Sequence, residues 1–145
     1  DPREDIKFAE EEFDFWFKQI LEREWQKLSK EIEKTKTKLV DGIADRFSGL
    51  GVKVNHVHEV LQNLGLLTKK PVEWNNSDLT KFAQMLRKKT KPMLIAANKA
   101  DLCKDLDITN ELHKDRDIVN CSAETELLLK KAAKANLIDY IPGNE

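Results

Sequence analysis

Ile6, Ala9, Phe13, Trp16 and Ile20 recur at steps of three and four, a spacing that lines one face of an α-helix, and Phe17 and Leu21 widen the stripe. From Trp25 the apolar positions Leu28, Ile32, Leu39, Ile43 and Phe47 keep helical spacing across a polar gap, "EKTKTK", which reads as an exposed helix face. No Gly or Pro lies between Pro2 and Gly42, so the pattern predicts one or two long helices over residues 2 to 47, with a bend near residues 22 to 24 left open. Asp1 and Pro2 suit the N-cap and first turn, and Glu4 and Asp5 suit the positive helix end. Of the clustered aromatics, Phe13, Trp16 and Phe17 are assigned to the core and Phe15 to a domain or partner contact.

"SGLG" at residues 48 to 51 closes this run, because Gly49 and Gly51 permit the left-handed backbone that ends a helix. Asn55 is then placed as the cap of "HVHEVLQNLG", with Val57, Val60, Leu61 and Leu64 on one face and Gly65 as the stop. After the loop "TKKPVEWNNS", Ser77 is placed as the cap of "DLTKFAQMLRKKT". Residues 1 to 90 thus read as nearly all helix.

The pattern changes at Pro92. "MLIAA" is a short apolar run of the kind found in buried parallel strands, and "DIVNC" is a second. Between them a short helix is predicted over residues 107 to 114, and after Ser122 "ETELLLKKAAKANLI" is amphipathic. Helix, strand, helix, strand, helix is an α/β unit.

Composition adds exclusions. A formal net charge of -1 provides no global attraction to nucleic acid or membrane. No apolar run approaches the roughly 20 residues of a membrane span, and "DPRED" is unlike a signal peptide's start, so a cytoplasmic setting with no membrane or DNA partner is expected. Cys103 and Cys121 fit neither a metal spacing nor a disulfide framework. His56 and His58 point to different sides of a helix and lack a third ligand, so no metal site is assigned. The basic run "RKKTK", residues 87 to 91, reads as a solvated helix end, with a ribosomal RNA contact as the sharper alternative.

In open α/β sheets the ligand crevice lies beyond the carboxyl ends of the strands. Two loops occupy that position: Asn98-Lys99-Ala100-Asp101 after the first strand and Ser122-Ala123-Glu124 after the second. Together N-K-x-D and S-A-E resemble the fourth and fifth motifs of the P-loop GTPases, the pair that reads guanine. The chemistry suits the residue types. A carboxylate at Asp101 offers two acceptors to guanine's adjacent donors, the ring N1–H and the amino group, whereas adenine leaves that carboxylate unpaired. The resemblance implies that the Lys99 stem covers one face of the base, that Asn98 tethers the loop and approaches the base edge, that the Ala123 N–H meets the base carbonyl, and that Ser122 braces its loop.

No G-x-x-x-x-G-K-[ST] and no D-x-x-G after a strand occurs in the 145 residues, so the parts that cradle phosphate, hold Mg2+ and position water are not in this sequence. It reads as part of a longer GTPase, with no catalytic residue assigned and no hydrolysis expected from these residues alone.

"DP-x-EDI", "FSGLGV", "KPMLIAANKADL" and "CSAETELLLKKAAKANLIDYIPG" resemble archaeal GTP-binding proteins of the Obg/YchF branch over nearly the whole chain. That resemblance implies the C-terminal part of a doubly wound parallel GTPase sheet with a mostly helical, coiled-coil-like insert. Residues 1–21 are then a GTPase-domain helix, 22–75 the insert and 76–145 the guanine-binding part of the GTPase domain. It further implies GTP or GDP as ligand, Mg2+ held by the parent protein, and the ribosome or its RNA as partner. Bacterial and eukaryotic YchF-type relatives have a degenerate fourth motif and prefer ATP; Asp101 is intact here, so GTP is expected. The rival reading is a helical interaction module with no nucleotide chemistry of its own.

Overall fold

The structure, a computed structural model, describes residues 2–102 and 117–143. The Asp1 cap, the helix expected over residues 107–114 and Cys103 lie outside the described residues. Tertiary contacts divide the chain into two compact units, Asp1–Pro92 and Met93–Glu145.

The first unit is helical. Helix α1 (Pro2–Thr35) is continuous through residues 22–24, where a bend was left open, and a Lys18–Glu22 pair at 3.2 Å bridges successive turns there. It ends where a continuing helix face was expected. Lys36 turns left-handed at φ 54°, and the Thr35 hydroxyl bonds back to the Glu31 carbonyl at 2.8 Å, so "EKTKTK" is the end of a helix and a turn. Helix α2 (Leu39–Arg46) follows, and Gly42 is what lets it approach: a Cβ there would lie 2.9 Å from Ile32 Cγ1 of α1.

Helix α3 (Val54–Asn63) starts after Lys53, whose side chain makes no capping bond, and Asn55 lies inside it instead of capping it. Gly65, at φ 66°, stops it as expected, with the Leu66 N–H donating to the Leu61 carbonyl at 2.8 Å. Helix α4 (Asn76–Thr90) is capped by Asn75 and not by Ser77. The Asn75 side chain accepts from the Asp78 N–H, and the Asp78 carboxylate accepts from the Asn75 N–H, a reciprocal box that Ser77, with Thr80 three residues on, has no acid to form. Lys69 donates to the same carboxylate at 2.6 Å, and these bonds hold Asp78 below the usual carboxylate range.

The core of this unit gathers Phe17 and Leu21 of α1, Ile43 of α2, Val57 and Leu61 of α3, and Phe82 and Leu86 of α4, all essentially without solvent contact. Each such side chain contributes about 1.5–3 kcal/mol through burial. Trp74 stacks on Trp25 at 4.5 Å and meets the Phe82 ring edge-on at 5.1 Å, which seats the 64–75 connection on the core. Trp16 is not the core residue expected from its spacing. It is 44% exposed and stacked on Phe13 at 5.4 Å, because at this level the buried stripe of α1 passes through Phe17. Phe15 is exposed. Nor is the basic run simply solvated: Arg87 is buried and paired with Asp14 at 2.6 Å, and Lys89 is paired with Glu59.

The second unit pairs strand β1 (Leu94–Ala97) with strand β2 (Asp117–Asn120) in parallel, Leu94 opposite Asp117 and Ala97 opposite Asn120, followed by helix α5 (Ala123–Lys134). Among the described residues the sheet has these two strands, and the doubly wound sheet is not seen. The strands are also less enclosed than their apolar runs predict. Among the described residues each has a strand neighbour on one side only, and Leu94 and Val119 lie open while Ile118 is buried. No helix among the described residues is long and apolar enough to cross a membrane.

Candidate functional site

Parallel pairing in register brings the carboxyl ends of β1 and β2 side by side, and the ladder continues past both strands. The Cys121 N–H donates to the Ala97 carbonyl at 3.0 Å, and the Ala100 N–H donates to the Cys121 carbonyl at 3.1 Å. The loops at 98–101 and 121–124 are therefore fastened backbone to backbone.

Asn98 joins them a second time. Its Oδ1 accepts the Lys99 N–H at 2.9 Å and the Ala123 N–H at 3.0 Å, across 25 residues of sequence. The first of these bonds supports an unusual backbone, since Lys99 is left-handed at φ 64°, a conformation costing a non-glycine residue about 1–3 kcal/mol and concentrated at functional sites. Asp101 follows in a 3-10 turn, Ala100–Leu102, with its side chain exposed.

The other loop is organised by the start of α5. Ser122 is the N-cap: its Oγ accepts the Thr125 N–H at 3.2 Å and donates to the Thr125 hydroxyl at 2.8 Å. Glu124 and Glu126 lie in the first turn, where the positive helix end favours them.

A cavity of about 640 Å³ opens beside these loops, within the size range of small-molecule sites. Asn98, Ser122 and Ala123 line it together with Ala96, Cys121 and Glu126; Lys99, Asp101 and Glu124 are outside its lining, on the exposed side of their loops. The Ala123 N–H is engaged by Asn98 and not directed at open space. Cys121 is a free, half-buried thiol on the cavity wall. Strand ends were the sequence signal for this site. The same signal extends to Cys121, whereas Glu126 comes from the inner face of α5 and was missed.

Glu126 is fixed at both carboxylate oxygens. Tyr140 donates its hydroxyl to one, and Lys130 lies 3.2 Å from the other. The bond to Glu126 raises the Tyr140 pKa, with burial and the nearby negative charge adding to it, while the bonds from Tyr140 and then Lys130 lower that of Glu126. Tyr140 gains a partner for its neutral form, so this contribution is fully present below the ordinary phenol value of about 10 and is lost as pH rises through the elevated one. For Glu126 it is present above the ordinary carboxylate value and lost as pH falls through the depressed one. Tyr140 is the one tyrosine in the sequence. Its absorbance at 295 nm should therefore titrate at higher pH in the native chain than in Glu126→Gln; coincident titrations would show that the carboxylate does not hold the phenol.

Residues 96–145 match a family model described as Obg-like GTPase YGR210-like, G4 motif-containing domain. An uncharacterized GTP-binding protein of Methanocaldococcus jannaschii is 37% identical over 141 residues, 95% of this chain and 35% of that protein. The crystal structure of a GTP binding protein from Pyrococcus horikoshii OT3 is similar at TM-score 0.81 and 43% identity, over 98% of this chain and 42% of that one. The chain thus spans about two fifths or less of the length of these relatives.

Proposed function

We propose that the chain is part of an Obg-like GTP-binding protein of the kind its archaeal relatives represent, and that its 98–101 and 122–124 loops form the guanine-reading site of a GTPase of the Obg/YchF branch. The observation that carries this reading is the double bond acceptance of Asn98, which sets the two loops as one surface at the carboxyl edge of the parallel strands.

On this reading Asp101 takes the ring N1–H and amino group of guanine through its two oxygens. The base carbonyl takes over the Ala123 N–H from Asn98, which keeps its bond to Lys99. The left-handed Lys99 lays its methylene stem on a face of the base. Residues 1–21 and 76–145 serve the GTPase domain and 22–75 the helical insert. The 145 residues contain no phosphate-cradling motif, and among the described residues no group of three acidic, His or Cys side chains fits a metal ion. On this reading Mg2+ is held by the parent protein. The full-length protein works in the cytoplasm on the ribosome, and Arg87, buried and paired with Asp14, is not among the cations that meet ribosomal RNA.

The test is a nucleotide panel on the full-length protein. Fluorescent GDP should bind at least about a thousandfold more tightly than the ADP analogue, since the Asp101 carboxylate, once a bound base covers it, stays unpaired against adenine. Equal affinities, or no binding of either, would leave the helical interaction module as the better account.

A further inference from the structure

The chain turns back on α5. Asn136 is left-handed at φ 57°, the Asn136 N–H donates to the Ala133 carbonyl at 2.9 Å and the Leu137 N–H to the Ala132 carbonyl at 3.0 Å, the two-bond closure that reverses a chain at a helix end. From Ala135 back to Glu126 the helix covers about 13 Å, at about 1.5 Å per residue. Leu137 to Tyr140, three steps, span at most about 10–11 Å, and the two side chains make up the rest. The reversal therefore delivers the Tyr140 hydroxyl to the Glu126 carboxylate.

Little else fixes this segment. Leu137, Ile138 and Ile141 are exposed, whereas Tyr140 is half-buried, so the phenol is its main anchor among the described residues. The anchored residue sits one turn from the loop. The Glu126 N–H donates to the Ser122 carbonyl at 3.0 Å, and Glu126 shares the cavity wall with Asn98, Ser122 and Ala123.

We propose that Tyr140 is a positioning residue for guanine nucleotide: the returning segment 136–143, pinned through its phenol to Glu126, fixes the first turn of α5 and with it the Ala123 N–H and the Ser122 brace. This rests on the guanine reading above. Lys130, 3.2 Å from the second carboxylate oxygen, adds an exposed i,i+4 pair of minor weight beside the phenol bond. Ordering of the returning segment and retention of the base are then one equilibrium, so that loosening the strap speeds nucleotide release.

The experiment measures GDP association and release on the full-length protein with Tyr140→Phe, Glu126→Leu, Glu126→Gln, the Tyr140→Phe/Glu126→Leu pair and Asp101→Asn. Tyr140→Phe and Glu126→Leu should each speed GDP release by about five- to tenfold with association unchanged, the loss of one charge-assisted bond, and the pair should be no worse than either alone. Glu126→Gln, whose amide oxygen still accepts the phenol proton, should stay within about twofold of the native rate. Unchanged release in Tyr140→Phe and Glu126→Leu, beside a loss of GDP in Asp101→Asn, would overturn the strap and leave the guanine reading standing. A Glu126→Gln as damaging as Glu126→Leu would also overturn it. If Asp101→Asn retains GDP as well, the guanine reading falls and the strap's role falls with it.

Discussion

Asp101→Asn in the full-length protein should lower GDP affinity by about a thousandfold or more while raising affinity for XDP, exchanging one base for another instead of abolishing binding. Guanine presents two donors to this position, and the carboxylate answers with two acceptors. The amide keeps one acceptor for N1–H but turns a donor toward guanine's amino group, so two N–H groups face each other and neither is satisfied. Xanthine has a carbonyl at that corner and pairs with both ends of the amide. Competition of XDP and GDP for a fluorescent nucleotide measures the exchange. Equal losses for both bases would mean that residue 101 shapes the loop and does not read the base. Asp101 is exposed and outside the cavity lining, whereas Asn98 makes the bonds that tie the loops. Asn98→Ala should therefore weaken both bases alike, which separates holding the site from choosing its ligand.

That division marks what the sequence shows and what it conceals. Asp101 stands out in the sequence because the role proposed for it depends on residue type and on position after an apolar run. Asn98 was expected to tether its loop, but its bond to Ala123 was not legible, since it joins residues 25 apart through a register that only the paired strands define. The Tyr140–Glu126 contact needs a reversal at Asn136, and an asparagine is a weaker stop signal than the glycine that ended α3 as expected. Helical periodicity placed α1, α3 and α4, but their ends were decided by local bonds. At α4 three adjacent residues compete to be the cap, and only Asn75 has an acid three positions on to return the bond. Threonine and lysine at 35–38 carry no strong helix-stop signal, so the end of α1 was hidden within a run that looked helical. The low burial of β1 and β2 was hidden for a different reason: an apolar run reports what a strand is built to bury, not how many neighbours cover it.

Asp14→Ala should destabilise the helical unit by about 3–5 kcal/mol, far beyond the effect of an ordinary surface ion pair. Arg87 is read from sequence as one cation in a basic helix end, yet its side chain is 5% exposed and that of Asp14 15%, and the bond between Nε and the carboxylate is 2.6 Å long. The guanidinium also lies 5.6 Å from the Phe13 ring centre, so apolar surface faces one side of the charge. Removing the carboxylate leaves a cation with neither partner nor water at the seam between α1 and α4, and that desolvation, not the lost attraction, dominates the cost. The exposed Lys7–Glu11 pair on the same helix, 3.7 Å apart, sets the contrast: Glu11→Ala should cost under about 0.5 kcal/mol. Asp14→Leu with Arg87→Met should recover most of the stability lost in Asp14→Ala, because the apolar pair fills similar space and buries no charge. Urea unfolding of the four proteins decides the matter. A cost for Asp14→Ala near that of Glu11→Ala would show that Arg87 finds water, and that the α1–α4 seam is held by its apolar contacts, Phe17 and Phe82 foremost, without the pair.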